Sequence, residues 1–310
     1  MRWVSYTSTD GAERAGVLHE NTIHAVAGGV TLLDLLTAGT LQDAGRQALA
    51  SPDEVVPLAQ ARLLAPVPRP PSIRDFMAFE EHVVTSMKSL GQTVDPLWYQ
   101  QPVFYFTNPA AVIGPHDPVP IAPGSRMWDY ELEIAAIVGR TGRDLDPATA
   151  ADHIAGYTVM CDWSARDLQA EEMRLNLGPA KGKDTATSLG PVLVTPDELA
   201  PSTSRKGYEL AMTATVNGRQ YSKGTWADQY WSFAEMLAYA SRGTELRPGD
   251  VIGSGTVGTG CILELSGTHG SNAYPWLEPG DQVKLEVQGL GAITSTVMAS
   301  PSPRVLLVGE

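Results

Sequence analysis

Apolar positions in this chain come in short runs rather than long helical stripes, and turns rich in Gly, Pro and Asp separate them. R-W-V-S-Y and T-I-H-A-V read as short strands around the polar turn T-D-G, and T-L-L-D-L-L and L-Q-D-A-G-R-Q-A-L-A read as short helices. A-P-V-P-R-P-P-S, residues 65–72, holds four prolines in eight residues and makes a stiff, non-helical connector. It marks the expected boundary between a small N-terminal module, residues 1–65, and a larger unit, residues 66–310. In that unit V-G-R-T-G-R-D-L-D-P, L-R-P-G-D-V-I and L-E-P-G-D-Q-V-K-L-E-V are turn-then-strand units. D-P-A-T-A-A-D-H-I-A-G predicts a helix with an Asp cap, F-A-E-M-L-A-Y-A-S (233–241) a second helix, and C-I-L-E-L-S a strand. The pattern favours a mostly β or mixed α+β fold over a doubly wound one.

One strand carries an anomaly. In W-D-Y-E-L-E-I-A-A-I-V-G-R, from Trp128 to Arg140, two glutamates interrupt an otherwise apolar run. Strand side chains alternate, so Glu131 and Glu133 share a face. Two ionised carboxylates there repel and are costly to desolvate, so a basic residue or a bound cation must compensate them.

Composition narrows the partners. The 310 residues include 35 acidic and 22 basic side chains, for a net charge of −13, which argues against nucleic acid or an anionic membrane as a partner. The two cysteines, Cys161 and Cys261, stand alone in apolar stretches and form no CxxC pair, which fits a reducing cytoplasm. No run approaches the ~18 apolar residues of a membrane helix, and the N-terminus lacks an apolar signal core. A formal GxGxxG spacing occurs at Gly253, Gly255 and Gly258. With a strand expected after it, no helix N-terminus would be offered to a phosphate, so nucleotide binding is not expected.

Four places look chemical: Asp75 with His82, the Glu131/Glu133 pair, Asp162 with Arg166 and Gln169, and Lys183 with Thr187. Carboxylates from separate strands, without a Cys–His cluster, suit a hard divalent cation such as Mg²⁺, Mn²⁺ or Ca²⁺. Each feature also has an ordinary reading. An E-x-E is commonly a solvated strand face, Asp162 can cap a following helix, His82 can be a plain helix residue, and Lys183 a surface lysine in a Gly-rich loop.

Taken together, and in order, these segments resemble the fumarylacetoacetate hydrolase family from about Asp75 to Gly267. The resemblance rests on D-F-x-x-x-x-x-H (Asp75, His82), D-Y-E-L-E, M-C-D-W-S-A-R-D-L-Q, G-K-D-T-A-T and L-E-L-S with Glu264. It implies a mixed β-sandwich roll after a small N-terminal β-rich domain, and a homodimer. It also implies metal ligation by Asp75, Glu131, Glu133 and Asp162, with Mg²⁺ (or Ca²⁺ or Mn²⁺) answering the charge of the E-x-E pair. Glu264 takes the place of the glutamate that partners the catalytic histidine. Gln169, Tyr105, Thr256 and Thr187 fall among substrate-binding positions.

The residue types then fit cleavage of a carbon–carbon bond beside a 1,3-dicarbonyl. His82 is a general base for water, Glu264 fixes its tautomer, and Lys183 with Arg166 or Gln169 holds the developing alkoxide. The pocket departs from the namesake enzyme: Gly91 replaces an arginine, and Met77 and Met173 replace tyrosines. An apolar pocket is therefore expected, and fumarylacetoacetate itself is not the expected substrate. The expectation is a metal-dependent hydrolase of a β-diketone or acylpyruvate-type keto acid, in the cytoplasm. The alternative is a decarboxylase or keto–enol tautomerase of a 2-oxo acid such as oxaloacetate. Trp98, Tyr99 and residues 82–93 are candidates to cover the site.

Overall fold

The computed structural model describes residues 1–89 and 91–301. Leu90, inside the candidate covering segment, and residues 302–310, at the end of the larger unit, lie outside the described residues. The fold is mixed α+β, built on two sheets packed face to face.

The larger sheet has 12 strands. Its centre is Thr187–Val194, Ile154–Asp162, Leu132–Val138 and Val251–Gly253, followed by Ile73–Phe76 and the edge strand Phe104–Thr107. The smaller sheet has five strands, including Ala211–Val216, Gln282–Val287 and Gly291–Met298. Leu132–Val138 shows why the central strands read as continuous apolar runs. Leu132, Ile134, Ala136 and Val138 point into the core between the sheets. Ala135 and Ile137 point the other way, into a second core lined by Leu35, Leu36 and Leu41 of the N-terminal helices. A strand covered on both faces needs no polar alternation. Glu133 is therefore buried in the same layer as Ala135.

The N-terminal segment forms the expected strands and helices, with a third strand, Glu13–His19, between R-W-V-S-Y and T-I-H-A. Residues 65–72 form no helix or strand. The sheet nevertheless crosses this connector, because Arg2–Thr7 pairs antiparallel with Thr187–Val194.

Two predicted elements are corrected. The Asp-capped helix near residue 150 is a single 3₁₀ turn, Ala150–His153, because Ile154 already enters the long strand to Asp162. C-I-L-E-L-S is not a strand but the start of the helix Ile262–His269. Six mostly apolar residues fit both periods, and tertiary packing decided between them. The stated ground for excluding a phosphate site after the glycines therefore fails. The helix N-terminus there is already engaged: Asp129 accepts hydrogen bonds from Ile262 N at 2.7 Å and Leu263 N at 3.0 Å.

The three glycines have a packing role. A Cβ at Gly253 would meet Asp75 Oδ1 at 2.4 Å, one at Gly255 would meet the Phe76 carbonyl at 2.2 Å, and one at Gly258 would meet Glu81 Oε2 at 2.3 Å. Their lack of side chains lets the loop lie against residues 75–81, which lead into the His82 helix, Glu80–Ser89.

Candidate active site

Strand ends and two helices converge on one buried cluster. Asp75 comes from Ile73–Phe76, Glu133 from Leu132–Val138 with Glu131 just before it, and Asp162 from the last position of Ile154–Asp162. Ligand oxygens of Asp75, Glu131 and Glu133 lie within 4.8 Å of one another. Asp162 joins through its partners: Lys183 Nζ donates to Asp162 Oδ2 at 2.8 Å and to Glu131 Oε2 at 2.6 Å, and the Tyr105 hydroxyl donates to Asp162 Oδ2. Asp162 does not cap the next helix, Arg166–Met173, which has no side-chain cap.

The two glutamates differ in compensation. Glu131 has Lys183 on one oxygen and Arg166 Nη2 2.8 Å from the other. Burial pushes its pKa up, but Lys183 and Arg166 outweigh this and hold it well below the usual carboxylate range. Glu133 is 0 % exposed, and among the described residues neither of its oxygens has a hydrogen-bond partner. Burial and the neighbouring Asp75 push its pKa well up. Asp75 rises to about 8, from burial and then from Asp162. Asp162 rises to about 6, from burial that Lys183 only partly offsets, and among the described residues its Oδ1 has no partner.

An anionic pocket with three carboxylate oxygens, on Glu133 and Asp162, that find no partner among the described residues fits a divalent cation. The all-oxygen donor set of Asp75, Glu131, Glu133 and Asp162 suits a hard one.

Beside the carboxylates sits a dyad. His82 is buried on the helix Glu80–Ser89, and its Nδ1 is hydrogen-bonded to Glu264 Oε1. The second Glu264 oxygen accepts from Thr259 N. His82 lies near enough to Glu131 to help lower that carboxylate's pKa.

Arg166 is placed differently from expectation. Its Nε donates to Asp129 at 2.8 Å and its Nη1 to Gln169 Oε1 at 3.2 Å, while Nη2 faces Glu131. The guanidinium is hydrogen-bonded through Nε and Nη1, and Nη2 meets Glu131 as an ion pair without hydrogen-bond geometry. Thr187 pairs in register with Asp162, and its buried hydroxyl has no partner. Thr256 is buried in the glycine loop, and no side-chain hydrogen bond joins it to the cluster among the described residues. Met77 and Met173 are exposed. Trp98 Nε1 donates to the Met77 carbonyl at 3.0 Å and the Tyr99 hydroxyl to Glu80 at 2.7 Å, so this aromatic pair braces the start of the His82 helix.

Two residues near the site escaped sequence reasoning. Asp129 stands two positions before Glu131, in the same alternation, but its ties to Arg166 and to the helix at 262 are tertiary. Cys261 read as one isolated apolar position, yet it lies beside the dyad, with its sulfur within 4.8 Å of ligand atoms of His82 and Glu264.

Comparison with known proteins decides the family. Residues 72–298 match the model for the fumarylacetoacetate (FAA) hydrolase C-terminal domain. The chain belongs to this family. Residues 1–66 match a second model, described as Rv2993c-like, N-terminal. The human protein named oxaloacetate tautomerase FAHD2A, mitochondrial, is 30% identical over 254 residues, covering 82% of this chain and 74% of its own. Fumarylacetoacetase of Arabidopsis thaliana is 30% identical, covering 73% of this chain and 69% of its own. Among solved structures, fumarylacetoacetate hydrolase from Exiguobacterium antarcticum superposes with TM-score 0.75 at 28% identity, covering 96% of this chain and 99% of that chain. Maleylpyruvate hydrolase from Sphingobium sp. SYK-6, solved with manganese(II) and pyruvate, shares the fold at TM-score 0.72 and 24% identity, covering 97% of this chain and 100% of that chain. Family members thus include hydrolases and tautomerases, and this chain is an enzyme of that superfamily. Among the described residues no helix is long and apolar enough to cross a membrane.

Proposed function

We propose that this enzyme is a divalent-metal-dependent hydrolase that cleaves a carbon–carbon bond in a β-diketone or acylpyruvate-type acid. The observation that carries the reading is the His82–Glu264 pair buried beside the Asp75/Glu131/Glu133 cluster. Asp75, Glu131, Glu133 and Asp162 would hold Mg²⁺, Mn²⁺ or Ca²⁺. When bound, the cation would supply Lewis-acid polarisation and orientation of a 1,3-dicarbonyl.

Glu264 accepts the Nδ1 proton of His82, which leaves the Nε2 lone pair for water. His82 takes a proton from the attacking water, and Glu264 stabilises the imidazolium. Lys183 has three donors and spends two on Glu131 and Asp162. Its third is available to a tetrahedral alkoxide. The Gln169 carbonyl oxygen already accepts from Arg166, so its amide N–H groups are free to donate to the same oxygen. Arg166 then acts by holding Gln169 and Glu131 in place rather than by touching substrate. Met77 and Met173 fit an apolar substrate portion. A homodimer and a cytoplasmic location complete the proposal.

The named activity of the human relative favours a second reading, keto–enol tautomerisation, or decarboxylation, of a 2-oxo acid such as oxaloacetate on the same residues. A screen of metal-reconstituted protein against acylpyruvates, fumarylacetoacetate and oxaloacetate separates the two. EDTA-sensitive release of pyruvate and a second acid supports hydrolysis. Tautomer exchange or CO₂ release from oxaloacetate, without hydrolytic product, overturns it.

A further inference from the structure

His82, Cys261 and Glu264 are all buried, and one ligand atom from each lies within 4.8 Å of the others. The arrangement follows from the local fold. Cys261 is the N-cap of the helix Ile262–His269 and Glu264 lies three residues on, so their side chains share one side of its first turn. His82 arrives from the helix Glu80–Ser89, which packs against it. We propose that these three residues form a second cation site, selective for thiophilic ions such as Zn²⁺ and distinct from the all-oxygen cluster of Asp75, Glu131, Glu133 and Asp162.

Sulfur, imidazole nitrogen and carboxylate oxygen are the zinc donor types, with bonds of about 2.0–2.3 Å, so that ligands of one tetrahedral ion stand roughly 3.3–3.8 Å apart. His82 Nδ1 and the Glu264 oxygen, hydrogen-bonded and closer than that, would part around the ion, while the Cys261 sulfur closes in from within 4.8 Å. Mg²⁺ and Ca²⁺ prefer oxygen alone, so the two sites sort ions by softness. The ion replaces the proton shared by His82 Nδ1 and Glu264, and water fills the fourth position. Cys261 binds as thiolate. Of the two protons on Nδ1 and Sγ, one moves to His82 Nε2 and one leaves to solvent. Zn²⁺ with one thiolate and one carboxylate carries no net charge, which makes the buried complex tolerable. His82 is 11% exposed at its side chain and gives the entry route.

Occupancy has a consequence that rests on the water-activating role proposed above for His82. With Nε2 protonated, the imidazole has no lone pair for water, and zinc inhibits without displacing the activating metal.

The test uses the full chain stripped with EDTA, saturated with Mg²⁺ and titrated with Zn²⁺, beside Cys261→Ser and Cys161→Ser variants. Wild type is expected to bind one more zinc per chain than Cys261→Ser, with release of one proton. Cobalt(II) should give a sulfur-to-metal charge-transfer band in wild type and Cys161→Ser, absent in Cys261→Ser. With each protein scaled to its own Mg²⁺-supported turnover, half-inhibition by zinc should require roughly 100-fold more metal in Cys261→Ser than in wild type. Equal zinc stoichiometry in the two proteins, no cobalt–sulfur band in wild type, or a band lost only in Cys161→Ser overturns the site. Inhibition relieved by excess Mg²⁺ places the zinc at the carboxylates and also overturns it. A filled site with unchanged turnover supports the site and overturns the role of His82 instead. The cobalt band is read on wild type, so the proposal stays testable if Cys261→Ser fails to fold.

Discussion

Glu131 and Glu133 stand two residues apart, yet among the described residues only Glu131 has cationic partners. The difference shapes the behaviour of the metal-free enzyme. Asp75 has a folded pKa of about 8 against an ordinary 3.8, and Glu133 is raised in the same direction. A carboxyl group with a raised folded pKa binds more protons folded than unfolded. Its stabilising protonation is complete below the unfolded pKa and is lost as pH rises through the folded one. The metal-free protein should therefore lose stability from about pH 4 to about pH 8. A divalent ion needs the ionised carboxylates, so the rise in melting temperature on adding Mn²⁺ should grow between pH 6 and pH 8. A constant rise across that range, read by scanning fluorimetry, would count against the four-carboxylate site. His82→Ala addresses the chemistry instead. It should keep Mn²⁺ affinity by calorimetry and lose about 10²–10⁴ in turnover, the usual share of a general base. Retention of most activity would remove His82 from water activation. The sequence exposed the need for positive charge near Glu131 and Glu133, because two same-face carboxylates in an apolar strand are conspicuous. It did not show that Lys183 and Arg166 serve one glutamate and leave the other, because that depends on how three distant segments meet.

At the scale of elements, the helix Ile262–His269 brings Glu264 to His82, and Asp129 brings that helix into register with the carboxylate strand. Asp129 accepts from two backbone amides of the first helical turn and from Arg166, whose other end faces Glu131. Burial raises the Asp129 pKa, with Arg166 pulling against it. Asp129→Ala leaves a buried guanidinium without this partner and should cost about 3–5 kcal/mol in denaturant unfolding. The double variant Asp129→Leu with Arg166→Met should recover much of that loss, because it removes both charges. A single-variant cost under about 1 kcal/mol would mean that the pair does not anchor the helix. This anchor also explains why C-I-L-E-L-S was illegible: acceptors for the first-turn amides supplied from residue 129 leave no trace in the local pattern. The glycine loop gives a sharper contrast. Gly255 has φ +75° and its missing Cβ faces backbone, whereas a Cβ at Gly258 would meet the exposed Glu81 side chain, from its carboxylate to its own Cβ at 2.8 Å. Gly255→Ala should cost about 1–3 kcal/mol and weaken Mn²⁺ binding through Asp75. Gly258→Ala meets a side chain and needs no positive φ, so it should cost less than Gly255→Ala. Equal costs for the two would show that the close approach at Gly255 is not what the loop requires.

For the whole molecule, the proline-rich stretch at 65–72 reads as a border, and as a break in regular structure it is one. The core ignores it. Trp3, Val17, Leu35, Leu36 and Leu41 from the first 65 residues pack with Ile73, Ala135, Ile137, Met160, Leu189 and Val251. They cover Ala135 and Ile137, on the face of the central strand that also carries Glu133. Composition and proline content show where a chain bends, but not which strand edges meet afterwards. Here Arg2–Thr7 meets Thr187–Val194 across more than half the chain. A chain whose two segments share a sheet and a core should melt as one unit. Calorimetry of the metal-free protein is expected to show one transition. Saturating Mn²⁺, at about a hundred times its Kd, should move the whole transition up by roughly 4 °C, because the ion binds only the folded state. Two resolved transitions, with only one responding to metal, would instead make residues 1–65 an independent domain and would detach their packing from the stability of the carboxylate site.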